Sequence, residues 1–215
     1  MQIKIAPSIL SANKNKLNEE VKKIEPYADL LHVDIMDGKF VPRTSFSVLE
    51  IKNINTKLDK DVHLMVEHPM VYVDDFYDAG ASIITFHLEC KDDIKATINK
   101  VKIKGIKVGL AINPETPIEA LLEYSDIIDM ALIMSVHPGY GGQKFIDDVL
   151  PKIKILRELK PKLDIEIDGS INVKTIKQVI RAGANIIVAG SAIFSQRDKV
   201  KAIKALRECI DKYLN

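Results

Sequence analysis

Four side chains in this sequence are of the right type and spacing to do chemistry together: His32, Asp34, His63 and Asp168. One run reads Leu31-His32-Val33-Asp34-Ile35-Met36-Asp37-Gly38, and a strand period of two places His32, Asp34 and Met36 on one face, Val33 and Ile35 on the other. Asp61-Val62-His63-Leu64-Met65 repeats the arrangement, and a further run ends Glu166-Ile167-Asp168-Gly169. Two imidazoles and two carboxylates from three strands form a ligand set for one divalent metal such as Zn²⁺, Mn²⁺, Fe²⁺ or Co²⁺, because these donors are borderline to hard. The set does not select among those ions. A cation held there would chelate a carbonyl and its neighbouring hydroxyl, acidify the α-proton and stabilise the resulting enediolate. Asp34 and Asp168, facing each other, would let one carboxylate remove that proton and the other return one to the opposite face, which is epimerisation. An ordinary Asp, with a pKa of about 3.9, is a poor acid at neutral pH, so one of the pair is expected to be held protonated by burial and by its companion. Met36, Met65 and Met134 are expected to line the site as a soft surface that excludes water. His68, which precedes Pro69 in a loop, is given no such role, and His87 and His137 are expected only to support neighbours by hydrogen bonds.

Positioning these groups requires several strands that end at one place. Apolar or β-branched runs over residues 3–9, 30–35, 62–66, 82–87, 107–112, 127–136, 164–167 and 186–189 read as strands, most of them buried on both faces. Between them lie helical spacings: Leu17, Val21, Ile24 and Ala28; Ile94, Ile98 and Val101; Val173, Ile176, Val179 and Ile180; and Val200, Ile203, Leu206 and Ile210. Ala79-Gly80-Ala81-Ser82-Ile83-Ile84 recurs as Ala182-Gly183-Ala184-Asn185-Ile186-Ile187, 103 residues later, each copy reading as a helix end followed by a strand. An offset of that size suits four βα units of roughly 26 residues, so eight units fill the chain. Strict alternation predicts an α/β protein, a (β/α)₈ TIM barrel in one domain spanning residues 1–215, in preference to an open doubly wound sheet.

In such a barrel the functional groups sit where strands end, and glycines cluster there too. Pro138-Gly139-Tyr140-Gly141-Gly142-Gln143 follows the sixth strand, Asp168-Gly169-Ser170 the seventh and Ala189-Gly190-Ser191 the eighth, each expected just before a helix. Bare backbone N–H groups at such turns bind phosphate without a basic side chain. The Gly139–Phe145 loop, rich in glycine, is expected to act as the lid. No Gly-x-x-x-x-Gly-Lys-Ser/Thr or Gly-x-Gly-x-x-Gly element occurs, so nucleotide binding has no support.

Composition narrows the classes further. With 31 Lys+Arg against 30 Asp+Glu the net charge is +1, which argues against nucleic-acid or anionic-membrane partners. Hydrophobic residues at 47% and charged residues at 28% are those of a folding globular chain. The apolar stretch 127–136 is interrupted by Asp129 and is too short to span a bilayer, and no secretory signal is read at the start. Cys90 and Cys209 have no Cys-x-x-Cys partner and read as free thiols, so a cytoplasmic protein is expected.

These residues resemble the ribulose-phosphate 3-epimerase family. The resemblance is carried by Ala6-Pro7-Ser8-Ile9-Leu10-Ser11-Ala12, His32 to Gly38, Asp61 to Met65, Met134-Ser135-Val136 with Pro138 to Gln143, and Val188-Ala189-Gly190-Ser191-Ala192-Ile193-Phe194, in family order over nearly the whole chain. It implies a barrel of the ribulose-phosphate-binding type that interconverts D-ribulose 5-phosphate and D-xylulose 5-phosphate in the pentose phosphate pathway. It further implies one divalent metal on His32, Asp34, His63 and Asp168, with Asp34 as proton acceptor and Asp168 as proton donor. Ser8, His63, Gly139, Tyr140, Gly141, Gly142, Asp168, Gly169, Ser170, Gly190 and Ser191 match positions that touch the ketose phosphate, chiefly its phosphate, and a homo-oligomer is expected. Two departures stand out: Asp168-Gly169-Ser170 replaces the usual Asp-Gly-Gly, and His137 replaces a frequent Asn. The former, with Asn113-Pro114-Glu115-Thr116, also resembles the allulose-6-phosphate 3-epimerase branch, which leaves substrate length open. The third strand lacks the Asp-x-Lys-x-x-Asp of related orotidine- and hexulose-phosphate lyases, and a non-catalytic sugar-phosphate-binding barrel would not need two opposed carboxylates at a metal.

Overall fold

The computed structural model describes residues 2–140 and 142–214, with the side chain of Leu214 left aside. Strands β1 (Lys4–Pro7), β2 (Leu30–Met36), β3 (Asp59–Met65), β4 (Ala81–His87), β5 (Lys107–Ile112), β6 (Met130–Met134), β7 (Asp164–Asp168) and β8 (Ile186–Ala189) all pair in parallel. Helices α1 (Leu17–Ile24), α2 (Val48–Lys52), α3 (Val73–Asp78), α4 (Ile94–Ile103), α5 (Ile118–Leu122), α6 (Leu150–Leu159) and α7 (Ile176–Ala182) occupy the connections, and α8 (Ser191–Phe194) and α9 (Lys199–Leu214) follow β8. The ladder runs from β2 through β3 to β8 and on to β1, and one parallel bridge, Ser8 to His32, joins the two edges. This is the expected (β/α)₈ barrel. The seam is further held where Asp29 donates its N–H to the Ile5 carbonyl (3.0 Å) and accepts from the Ile5 N–H (2.7 Å). Arg207 of α9 caps that seam, donating to the Ile3 carbonyl at 3.0 Å and pairing with Asp29. No helix among the described residues is long and apolar enough to cross a membrane.

The strand period sorts the side chains as anticipated: Val33 and Ile35 join the apolar layer between barrel and helices, while His32 and Asp34 point into the barrel toward residues of other strands. Each fully buried Ile or Leu of that layer contributes about 1.5–3 kcal/mol. Inside, Ala6, Leu30, Ile83, Met130, Ile186 and Val188 form an apolar floor. The internal repeat is real in three dimensions. Gly80 and Gly183, at φ of +86° and +118°, each close a helix and lead into β4 and β8, strands four units apart.

Some boundaries differ from the sequence reading. Strand β3 starts at Asp59 rather than residue 62 because Lys60 buries its stem and donates from Nζ to the carbonyls of Ile51 and Ala79, both at 2.9 Å. The register with β4 shifts at this point. Strand β6 is shorter than 127–136, since Ile127 still closes a turn on the Tyr124 carbonyl (2.9 Å). Val173 does not join α7: it stands half-exposed in the preceding loop, and the helix starts at Ile176. Ala28 likewise lies past the end of α1. Nor does the glycine loop after β6 lead directly into a helix, for α6 starts only at Leu150.

Candidate active site

Register assembles the site. Pairing of β2 with β3 sets Asp34 beside His63 and His32 beside Asp61, and pairing of β6 with β7 sets Met134 beside Asp168. Donor atoms of His32, Asp34, His63 and Asp168 all lie within 4.8 Å of one another, so the structure brings together the four residues expected to hold a metal.

The details fit a cation. Asp34 Oδ1 lies 3.3 Å from His32 Nε2 and 3.1 Å from His63 Nδ1. His32 Nε2 is fully buried and has no hydrogen-bond partner. Its other nitrogen, Nδ1, is 2.7 Å from Asp61 Oδ2, the contact that aims Nε2 into the site. Separations near 3.2 Å are those of donors sharing an ion with bonds of about 2.0–2.2 Å. A divalent metal therefore fits this cluster, and its identity is left open by the donor set.

Burial and charge push the two aspartates apart. Burial raises the Asp34 carboxyl, but His32 and His63 outweigh it and hold Asp34 well below the carboxylate range. Ser8 supports that charge by donating from Oγ to Asp34 Oδ2 at 2.6 Å. Asp168, by contrast, is raised to about 7 by burial and by the Asp34 charge. Asp34 is thus ionised while Asp168 is half-protonated near neutrality.

Behind these groups lie residues the sequence reading did not place in the site. Glu166, on the same face of β7 as Asp168 and one layer deeper, has its Oε1 3.5 Å from His32 Nδ1. Burial and the neighbouring Asp61 push its carboxyl well up. Alternation in Asp164-Ile165-Glu166-Ile167-Asp168 was the signal that would have found it. His87 lies 2.9 Å (Nε2 to Nε2) from His63, and its Nδ1 is 3.1 Å from Glu89 Oε2. Burial lowers His87 to about 4, so it stays neutral. Burial also raises Glu89, but its hydrogen bonds with His87, Thr116 and Asn113 leave it net lowered and ionised.

The cleft above is lined by Ser8, Asp34, Asp168 and all three expected methionines, Met36, Met65 and Met134. Gly139, Tyr140, Gly142, Gly169, Ser170, Gly190 and Ser191 line its far side, while Gly141 lies outside the described residues. His32 and His63 are fully buried below this lining. Gly169 (φ +125°) must be glycine, because a Cβ there would sit 2.8 Å from the Val136 backbone nitrogen. Ser170 is the one non-glycine at positive φ among the described residues (54°), and its Oγ donates to the Gln143 carbonyl. That bond offsets the cost of about 1–2 kcal/mol for an L-residue there and ties the β6 loop to β7. His137 and His68 are exposed and pair with Glu115 (3.1 Å) and Asp92 (2.8 Å), outside the buried cluster.

Comparison with known proteins agrees with this geometry. The model of the ribulose-phosphate 3-epimerase family matches residues 4–194. Ribulose-phosphate 3-epimerase of Bacillus subtilis is 45% identical over 95% of this chain and 98% of its own length. The Escherichia coli enzyme of the same name is 41% identical over 98% and 97%, and that of Schizosaccharomyces pombe 40% over 99% and 96%. Among solved structures, KGPDC from Streptococcus mutans superposes with a TM-score of 0.77 over 100% of both chains. A 3-hexulose-6-phosphate synthase gives 0.73 over 96% and 99%. At 12% and 18% identity these two speak for the barrel alone. By family match, near full-length identity and the site itself, the chain belongs to the ribulose-phosphate 3-epimerase family, whose members are isomerases.

Proposed function

We propose that this chain, acting as one catalytic domain over residues 1–215, interconverts D-ribulose 5-phosphate and D-xylulose 5-phosphate by proton transfer between two carboxylates at C3. The observation that carries the reading is the pair Asp34 and Asp168, with donor oxygens within 4.8 Å and pKa values driven in opposite directions. A divalent cation on His32, Asp34, His63 and Asp168 would act as a Lewis acid, acidifying the C–H next to the substrate carbonyl. Ionised Asp34, oriented by Ser8, takes the proton from one face, and neutral Asp168 delivers one to the other. In the reverse direction the roles exchange. Met36, Met65 and Met134 keep water from the reacting carbon. The phosphate is assigned to the turns at Gly142, Gly169–Ser170 and Gly190–Ser191, where backbone N–H groups suit an anion, and the 139–145 loop serves as the lid. The relatives' names support the five-carbon substrate over allulose 6-phosphate. Free Cys90 and Cys209 support a reducing, cytoplasmic setting.

Asp34→Asn and Asp168→Asn test the assignment. Each is expected to keep its thermal unfolding profile and to lose about 10²–10⁴-fold in kcat. Asp34→Asn loses the ability to exchange the C3 proton of D-ribulose 5-phosphate with solvent. Normal turnover in both variants would refute the two-carboxylate reading.

A further inference from the structure

Ser135 follows β6 directly, is fully buried outside the lining of the cleft, and has no part in the proposed reaction. All its polar atoms are nevertheless engaged with the chain around the site. Its N–H donates to the Asp168 carbonyl at 2.7 Å, and its carbonyl accepts from the Ile146 N–H at 2.9 Å, which closes the base of the loop after β6. The hydroxyl oxygen lies 2.9 Å from the Asp168 carbonyl oxygen and 2.7 Å from that of Gly169. A hydroxyl has one hydrogen to give. The Asp168 carbonyl is already served by the Ser135 N–H, whereas the Gly169 carbonyl has no other donor among the described residues, so the hydrogen goes to Gly169. The two chains are in close contact here, for a Cβ on Gly169 would lie 2.8 Å from Ser135 Oγ.

The consequence for Ser170 follows from the peptide plane. No described peptide bond is cis, and in a planar trans peptide the C=O and N–H point in opposite directions. With the Gly169 carbonyl turned to Ser135, the Ser170 N–H of the same peptide is turned away from β6, and no acceptor among the described residues takes it. The Ser170 hydroxyl is committed to the Gln143 carbonyl. Ser170 lines the cleft together with Gly190 and Ser191, so its backbone N–H is the group it has to offer there. We propose that Ser135 is a positioning residue whose hydroxyl locks the Gly169–Ser170 peptide and so presents the Ser170 N–H to the substrate phosphate. This rests on the phosphate site proposed above. The lock has a strain to resist: turning that peptide over would move Ser170 off its φ of +54°, out of the left-handed region that an L-residue disfavours. Ser135→Ala keeps both backbone anchors and removes the lock alone.

The test titrates ¹⁵N-labelled protein with inorganic phosphate and follows the Ser170 amide by NMR, on wild type, Ser135→Ala, Ser135→Thr and Ser135→Val, with phosphate inhibition of D-ribulose 5-phosphate turnover as a second reading. In the wild type the Ser170 N–H should move downfield as phosphate binds. Ser135→Ala should lose that shift and bind phosphate about tenfold more weakly. Thr and Val share a shape and differ in the hydroxyl, so Ser135→Thr should restore the shift and bind about fivefold more tightly than Ser135→Val. A merely space-filling role predicts equal affinity for those two; if the branched variants do not fold, Ser135→Ala alone decides. A wild-type Ser170 amide that stays put while phosphate binds, wild-type affinity in Ser135→Ala, or equal affinity for Thr and Val would overturn the proposal and leave the phosphate site standing. A wild type that neither binds phosphate nor turns over D-ribulose 5-phosphate would refute the site, and the proposal with it.

Discussion

Loading the site with a divalent cation near neutral pH should expel about one proton, and its source follows from the structure. Despite its burial, His32 is raised well above the imidazole range by Asp34, Asp61 and Glu166, so it carries a proton on the nitrogen the cation must take. His63 is lowered by burial and contributes none. Asp168, raised to about 7 without metal, has two oxygens, so it can offer one to the cation and keep on the other the proton it delivers to C3. The total is therefore about one proton, and from pH 7 to pH 6 the binding constant should fall about tenfold, some 1.4 kcal/mol. Calorimetric titration of metal-stripped protein with Zn²⁺, in buffers of different ionisation enthalpy, reads proton release directly. Release of less than half a proton at pH 7, or a change under fivefold between pH 6 and 7, would refute the electrostatic reasoning.

Other expectations follow from single contacts. Ser8→Ala removes the hydroxyl 2.6 Å from Asp34 Oδ2; with hydrogen bonds to charge worth about 1.5–3 kcal/mol, kcat for D-ribulose 5-phosphate should fall roughly 10–100-fold. Gly109→Ala would place a Cβ 2.2 Å from Thr85 Oγ1 inside the barrel, an overpacking that should cost about 1–3 kcal/mol in denaturant unfolding. Asp37 accepts the N–H groups of Lys39 (2.8 Å), Phe40 (2.9 Å) and Glu67 (2.9 Å), which outweigh burial and lower its pKa from 3.8. A lowered folded pKa gives stability that is full above about pH 4 and is lost as pH falls through the folded value, so Asp37→Asn should flatten the acid limb of the unfolding curve.

The barrel was legible because its strands are buried on both faces and read as unbroken apolar runs, and the four donors because each stands on the inward face of such a run. Lys60 concealed the start of β3: a charge in a strand reads as an end, and only the carbonyls of Ile51 and Ala79 explain its presence. Glu166 shares its face with Asp168, so the alternation of β7 marks it as inward-facing, but only the approach of His32 and Asp61 shows what it serves. His87 was assigned a supporting role, and the structure supplies its object, His63, while Glu89 depends on a loop between β5 and α5 that no local pattern places beside β4. Lateral register and tertiary approach, not residue type, were the missing information.

The central claim is proton exchange at C3 between two carboxylates, and the direct measurement is proton NMR of the purified protein with D-ribulose 5-phosphate in deuterated water, with a metal-stripped control. The account predicts metal-dependent deuterium at C3 with D-xylulose 5-phosphate formed in step. Conversion without deuterium uptake, or no uptake after each of Zn²⁺, Mn²⁺, Fe²⁺ and Co²⁺ is supplied, would contradict it.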